Sequence, residues 1–435
     1  MEQGNHNSQF STLNSQFSEF DEIRPYEAGE MKQAFEDLIN DRQFSLVLKG
    51  FAPWLPKGVR NGLLRLAFTG IKTPLDFQKR FMKPVVKWII RKHTDGTSFD
   101  DTNLECRTES VEFATAAEGE IDTSAVANYT LNTLHSKLKK RYTFVSNHRD
   151  IVLDSAFLDV LLVDAGHPTT VEIGIGDNLL IYPWIKRLVR MNKAFTVRRG
   201  LTAHEMMRSS QLMSRYIHYA VTQKKENIWI AQREGRAKDS SDQTQDAVLK
   251  MLAMGGDLRE LNIVPLTISY EFDPCDYLKA QEMQQKRDDP SFKKSRQDDL
   301  DNMKTGIFGY KGRVHYHCAA PINTWIDELG DLPKKEFYET LSHRIDKELH
   351  QHYRLYPCNY IALDMLIQNG ELKIENSDMS QLSEHYTAAD VERFEKYLAG
   401  QLAKIAIPNK DEAFLRERML TMYANPLRNY LRVKR

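Results

Sequence analysis

The chain of 435 residues is longer than the commonest single-domain size, which leaves room for a sizeable core in one large domain with appendages or in two domains. With 41% hydrophobic and 28% charged residues it is not a disordered chain, a collagen-like repeat or a disulfide-stapled mini-protein. Sixty Lys and Arg against sixty Asp and Glu leave no net charge, which argues against a nucleic-acid binder.

Residues 1–20 are rich in Asn, Ser and Gln, contain Asn-Ser-Gln-Phe twice, and read as a flexible tail. No basic segment followed by an apolar run opens the chain, and no stretch reaches the ~18 apolar residues of a spanning helix. The expected location is therefore cytoplasmic, peripheral on the inner face of the cell membrane. Cys106, Cys275, Cys318 and Cys358 are widely spaced and form no C-x-x-C pair, which suits a reducing setting.

Residues 21–140 are expected to form an N-terminal helical, basic amphipathic region. Between residues 42 and 92 there are twelve Lys or Arg and one acid, Asp76, interleaved with Phe44, Trp54, Leu63, Phe81 and Trp88 and cut by four prolines. Such segments suit an anionic lipid surface, with Lys79, Arg80, Lys83 and Lys87 as the cations facing it. The plainer alternative is a helical cap whose apolar faces pack on the core.

From residue 141 to 325 short β-rich runs (142–146, 169–173, 194–198, 227–231 and 263–270) alternate with helical patterns (153–165, 179–191, 203–223 and 244–254). This alternation predicts an α/β domain with a mostly parallel sheet flanked by helices, and a ligand site beyond the carboxyl ends of the strands. Residues 279–304, nearly all charged or amide, read as a solvated helix or loop. One more strand is expected at 313–319, then a C-terminal helical region at 326–435 ending in a basic tail from Arg428.

The candidate site opens with Ser146-Asn147-His148-Arg149-Asp150, where a strand gives way to a helix. A carboxylate in the helix's first turns can bond one imidazole nitrogen and leave the other as a base that activates a nucleophile belonging to the substrate. Asp154 and Asp150 are the two candidates; capping of the helix is the plainer role for Asp150. The next strand ends carry Arg198-Arg199-Gly200 and Gln232-Arg233-Glu234-Gly235-Arg236-Ala237-Lys238-Asp239, the latter with three cations and a Glu. Guanidinium groups capture phosphate or carboxylate, and glycine allows close backbone approach.

In this order Asn147-His148 with Asp154, Phe195-x-x-Arg198-Arg199, Glu234-Gly235-Arg236 and the strand Ile263-Val-Pro-Leu-Thr-Ile268 resemble the four blocks of the glycerol-phosphate acyltransferase superfamily. The chain is similar to its bacterial 1-acyl-glycerol-3-phosphate acyltransferase group, which includes O-acyltransferases of glycine-lipid synthesis. The resemblance covers roughly residues 142–271 and implies a glycerol-3-phosphate acyltransferase-like fold with helical additions at both ends. It implies His148 as general base with Asp154 orienting it, and Arg198, Arg199, Arg233, Glu234, Gly235 and Arg236 around the acceptor's anionic group. It places Pro265 beside the acyl chain. The family's acid stands five residues after the His, where this chain has Leu153, and Arg233 replaces the usual Pro of the third block.

The implied reaction moves a fatty acyl chain from acyl-ACP or acyl-CoA to the hydroxyl of a glycerol-phosphate or lysophosphatidate acceptor, at a membrane surface, with no metal, no cofactor and no nucleic acid. An N-acyl amino acid is the alternative acceptor, and a catalytically silent lipid-binding protein is the alternative of another class. His315-x-His317 lacks a third metal ligand at supporting spacing, and Met206, Met207, Leu212, Met213, Tyr216 and Ile217 at helical spacing read as core.

Overall fold

The computed structural model describes residues 19–51, 53–104, 140–371 and 382–434. Cys106 and residues 1–18 of the expected tail lie outside them.

Seven strands, β1 (Thr97–Asp100), β2 (Thr143–Ser146), β3 (Val171–Gly176), β4 (Ala194–Val197), β5 (Asn227–Ala231), β6 (Ile263–Tyr270) and β7 (Val314–Cys318), form one sheet in the order β1-β7-β6-β2-β5-β3-β4. The five strands from β6 to β4 are mutually parallel; β7 runs antiparallel to β6 and carries β1 parallel to itself. The central strands are apolar on both faces, as strands covered by helices on both sides must be. Phe144 stands beside Trp229 and Val264, and Val145 beside Ile230 and Pro265.

On one face Val145, Ile228, Ile230 and Ile263 pack against α7 (Ala203–Tyr219) and α11 (Lys334–Gln351) through Tyr216, Ile217, Leu341 and Ile345. On the other, Phe144, Trp229, Val264 and Leu266 meet α5 (Leu153–Asp164) and α4 (Lys83–His93) through Phe157, Leu158, Val86 and Ile89. Each such side chain, fully buried, contributes on the order of 1.5–3 kcal/mol. The other α-helices of seven residues or more among the described residues are α1 (Met31–Asn40), α2 (Arg42–Phe51), α3 (Lys57–Phe68), α6 (Pro183–Met191), α8 (Asp246–Leu252), α9 (Asp276–Asp288), α10 (Arg296–Phe308), α12 (Pro357–Gln368), α13 (Ala388–Leu402) and α14 (Glu412–Val433). The last three close a separate apolar cluster around Ile361, Phe394 and Leu420.

Several expectations change. The span 21–140 is not wholly helical, because β1 inside it pairs with β7. Phe20, assigned to the tail, is buried against Tyr216 and Tyr219. As far as Val433 the basic tail is the last turns of α14. The segment 279–304 is not simply solvated, since Lys279, Glu282, Gln284 and Asn302 are buried there. Met206 and Met207 are 56% and 52% exposed, while Tyr216 and Ile217 are core.

The four cations expected to face lipid are engaged with the protein. Lys83 and Lys87 pair with Asp164, Lys79 donates to the Pro168 carbonyl and Arg80 to that of Gly70. The exposed apolar residues nearby are Leu46 and Val47 on α2, Trp54 between α2 and α3, Val59, Leu63 and Leu66 on α3, and Val85 and Trp88 on α4; the most exposed are Trp54, Leu66 and Leu46. Among the described residues no helix is long and apolar enough to cross a membrane.

Candidate active site

Strands β2, β3, β4 and β5 finish at the same end of the sheet, and the loops leaving them build a cavity of about 560 Å³. Its lining includes His148, Arg199, Arg233, Glu234, Gly235 and Arg236, with an apolar wall of Ile173, Ile175, Leu179 and Trp229.

His148 is held by its neighbours in sequence. The Asn147 side chain continues the ladder toward β6: its Nδ2 donates to the Ile268 carbonyl (2.9 Å) and its Oδ1 accepts the Ile268 N–H (2.8 Å). Arg149 turns inward and pairs with buried Asp242 (2.6 Å), which also accepts from the Tyr353 hydroxyl (2.6 Å) and from Asn147 (3.2 Å). The residues on both sides of His148 are thus tied into the core.

Asp154, in the first turn of α5, is fully buried, and its Oδ2 lies 2.8 Å from His148 Nδ1. The same oxygen accepts the backbone N–H of Arg149 (2.7 Å) and Asp150 (3.0 Å). A carboxylate on Nδ1 favours the tautomer with its proton there, leaving the Nε2 lone pair as the basic site. Asp150 does something else: its Oδ1 accepts the N–H groups of Val152 and Leu153, both at 2.8 Å, and so starts the helix. Burial, with the charge of Asp154 beside it, pushes the Asp150 carboxyl up. Residues 151–152 form a turn before α5 begins at Leu153, which sets Asp154 in the first helical turn beside the ring.

The arginines divide. Arg199 Nε, Arg233 Nε and Arg236 Nη1 are buried N–H donors without a hydrogen-bond partner among the described residues, all on side chains that line the cavity. Buried donors of this kind are costly unless a ligand or water meets them. Arg236 is steadied through its other nitrogen, which donates to Asn302 of α10 (2.8 Å), and Arg199 pairs with Glu234 (2.7 Å). Gly176 is required for Arg199's path, since a Cβ there would sit 2.6 Å from Arg199 Nε. Arg198 does not line this cavity. It is 43% exposed, pairs with Glu22, and borders a neighbouring cavity of about 250 Å³. Pro265 is buried in mid-β6 opposite Val145 and lines neither cavity.

No family profile and no curated protein sequence matches the chain. Among solved structures it is similar to the 1-acyl-sn-glycerophosphate (LPA) acyltransferase PlsC from Thermotoga maritima, at 11% identity and a TM-score of 0.34, over 72% of this chain and 95% of that one.

Residues that sequence reading missed complete the cavity. Trp229 meets the His148 ring edge-on at 5.5 Å between centroids. Lys238, the third cation of the block after β5 that the sequence did show, forms a further wall with Glu282, Lys286 and Lys294. The latter three come from the segment expected to be solvated, whose composition gave no sign of a cleft. His315 and His317 belong elsewhere: His317 pairs with Asp100 (3.0 Å) and stacks on His352, and His315 contacts Ser98 (2.8 Å). Among the described residues no group of three or more His, Cys, Asp or Glu could hold a metal ion.

Proposed function

We propose that the protein is an O-acyltransferase that moves a fatty acyl chain from a thioester donor to a hydroxyl of an anionic acceptor, a glycerol-phosphate or lysophosphatidate. The observation that carries this reading is the His148–Asp154 pair opening on a cavity that three arginine side chains also line. The arginines hold the acceptor's anion. His148 Nε2 takes the hydroxyl proton as that oxygen bonds to the thioester carbonyl carbon. The tetrahedral intermediate collapses, the C–S bond breaks, and the imidazolium returns its proton to the leaving thiolate. The proton is conserved in each turnover and no covalent acyl-enzyme is formed. Ile173, Ile175, Leu179 and Trp229 offer the acyl chain an apolar wall.

The protein meets its lipid at a membrane surface through α2 and α3, where Leu46, Trp54, Leu63 and Leu66 are 52–75% exposed. Lys49 and Lys57 flank them without an ion-pair partner among the described residues. Exposed apolar area beside cations is the pattern of interfacial attachment.

The test is thiol release from acyl-CoA and acyl-ACP with glycerol 3-phosphate, lysophosphatidate or an N-acyl amino acid as acceptor. Acceptor-dependent release with the first two supports the reading. Release only with the amino-acid lipid moves the arginines' anion from phosphate to carboxylate. No release with any acceptor from the folded protein contradicts acyl transfer.

A further inference from the structure

We propose that the cavity contains a second anion subsite, separate from the arginines, in which Lys238, Lys286 and Lys294 bind a phosphate group of a substrate. The identity of that substrate rests on the acyltransferase reading; the subsite itself does not.

Glu282 on α9 is the centre of the arrangement. Its side chain is only 4% exposed, and three ammonium groups converge on it from three places in the chain. Lys238 arrives from the loop after β5, Lys286 from one turn further along α9 at 3.0 Å, and Lys294 from the connection to α10 at 3.0 Å. A buried carboxylate needs one such partner to offset its desolvation. Three partners leave an excess of two positive charges over Glu282, and one still remains when Asp299 of α10, the other acid this segment brings to the lining, is counted; all of these side chains line the same cavity as His148.

The electrostatics agree with that excess. Burial foremost, with Lys286 crowding it, pushes Lys238 down to about 8 in spite of Glu282. Burial alone would raise Glu282, yet the lysines hold its carboxyl at about 2. The cluster as it stands is short of negative charge. A phosphate monoester, carrying about −1.5 to −2 at pH 7 with three acceptor oxygens, supplies what is missing. Glu282 keeps the lysines gathered at the wall when the phosphate is absent.

The two subsites come from different parts of the fold, the arginines from the ends of β4 and β5 and the lysines chiefly from the α9–α10 segment. A cavity with two anion subsites suits a reaction whose two substrates both carry phosphate. The lysine subsite's phosphate comes either from the carrier arm of the thioester donor or from the acceptor.

The test uses calorimetric titration of the full chain. In an Arg199→Gln/Arg233→Gln/Arg236→Gln variant, which disables the arginine subsite, inorganic pyrophosphate should still bind. Adding Lys286→Ala and Lys294→Ala should weaken that binding at least about tenfold, the loss expected from removing charge-assisted bonds. Thermal melts of each variant verify folding. With the arginines intact, the lysine variant should lose coenzyme A affinity if the donor supplies the phosphate, or glycerol 3-phosphate affinity if the acceptor does. Pyrophosphate binding that ignores the lysines, or unchanged affinity for both coenzyme A and glycerol 3-phosphate, overturns the proposal. Failure of the acyltransferase reading is seen separately, as absent thiol release from a protein that still binds pyrophosphate through these lysines.

Discussion

Asp154 Oδ2 lies 2.8 Å from His148 Nδ1 and also accepts the N–H groups of Arg149 and Asp150, so the carboxylate that orients the ring is fixed by the loop carrying that ring. Asp154→Asn keeps the shape but offers an amide where two backbone N–H groups and an imidazole N–H need an acceptor. It should lower kcat by ~10²-fold with little change in the acceptor's KM. Asp150→Asn retains the helix-starting carbonyl and should leave kcat within a few-fold. Steady-state kinetics of the two variants check this, and the reverse ranking would make Asp150 the orienting residue.

The arginines should separate in the same assay. Arg233→Gln and Arg236→Gln each remove a guanidinium from the cavity lining and should raise the acceptor's KM by roughly 10-fold or more. Arg198→Gln removes a half-exposed cation paired with Glu22 and should change it less than about threefold. Equal effects at Arg198 and Arg236 would mean that the acceptor also reaches the neighbouring cavity.

Two buried carboxyls outside the site set a pH dependence of stability. Burial pushes Asp159 and Asp276 up to about 7, with the charge of Asp273 adding at Asp276. The folded state therefore binds more protons than the unfolded chain, whose carboxyls titrate near ~3.9. Stability from these groups is present below that value and is lost as pH rises to about 7. Each loss is on the order of a few kcal/mol. Thermal melts of Asp159→Asn and Asp276→Asn should show a smaller drop between pH 5 and pH 8 than the unmodified protein, and an unchanged drop would contradict the assignment.

Membrane attachment through α2 and α3 predicts which substitutions matter. Leu63→Glu with Leu66→Glu should abolish co-sedimentation with anionic vesicles, and Lys49→Glu with Lys57→Glu should weaken it, more so at low salt, where the Debye length exceeds ~10 Å. Lys83→Gln with Lys87→Gln should have less effect, because both ammonium groups are drawn onto Asp164. Vesicle binding indifferent to the leucines would leave α2 and α3 as a packed cap.

How far the sequence could be read depended on what kind of information each feature carries. The parallel strands were legible because Tyr142–Ser146 or Ile263–Tyr270 are β-rich runs bounded by helical patterns, and strand ends in such a sheet gather their loops on one side. The His148–Asp154 pair was legible because both partners lie within seven residues. β1 was not: four residues, Thr97–Asp100, pair with a strand more than two hundred positions later, and no local pattern announces that. Arg198 and Arg199 are adjacent in sequence, yet opposite pointing along β4's end sends one toward Glu22 and the other toward Glu234. The lysine wall was hidden because a charged helix and a cleft-lining helix have the same composition, and only the placement of α9 against the loop after β5 distinguishes them.

The central claim is that His148 is the base of an acyl transfer. The direct measurement is acceptor-dependent thiol release by His148→Ala beside the unmodified protein, with thermal melts showing that both are folded. The account predicts a fall in turnover of at least about 10²-fold. Turnover within a few-fold of the unmodified protein would contradict it.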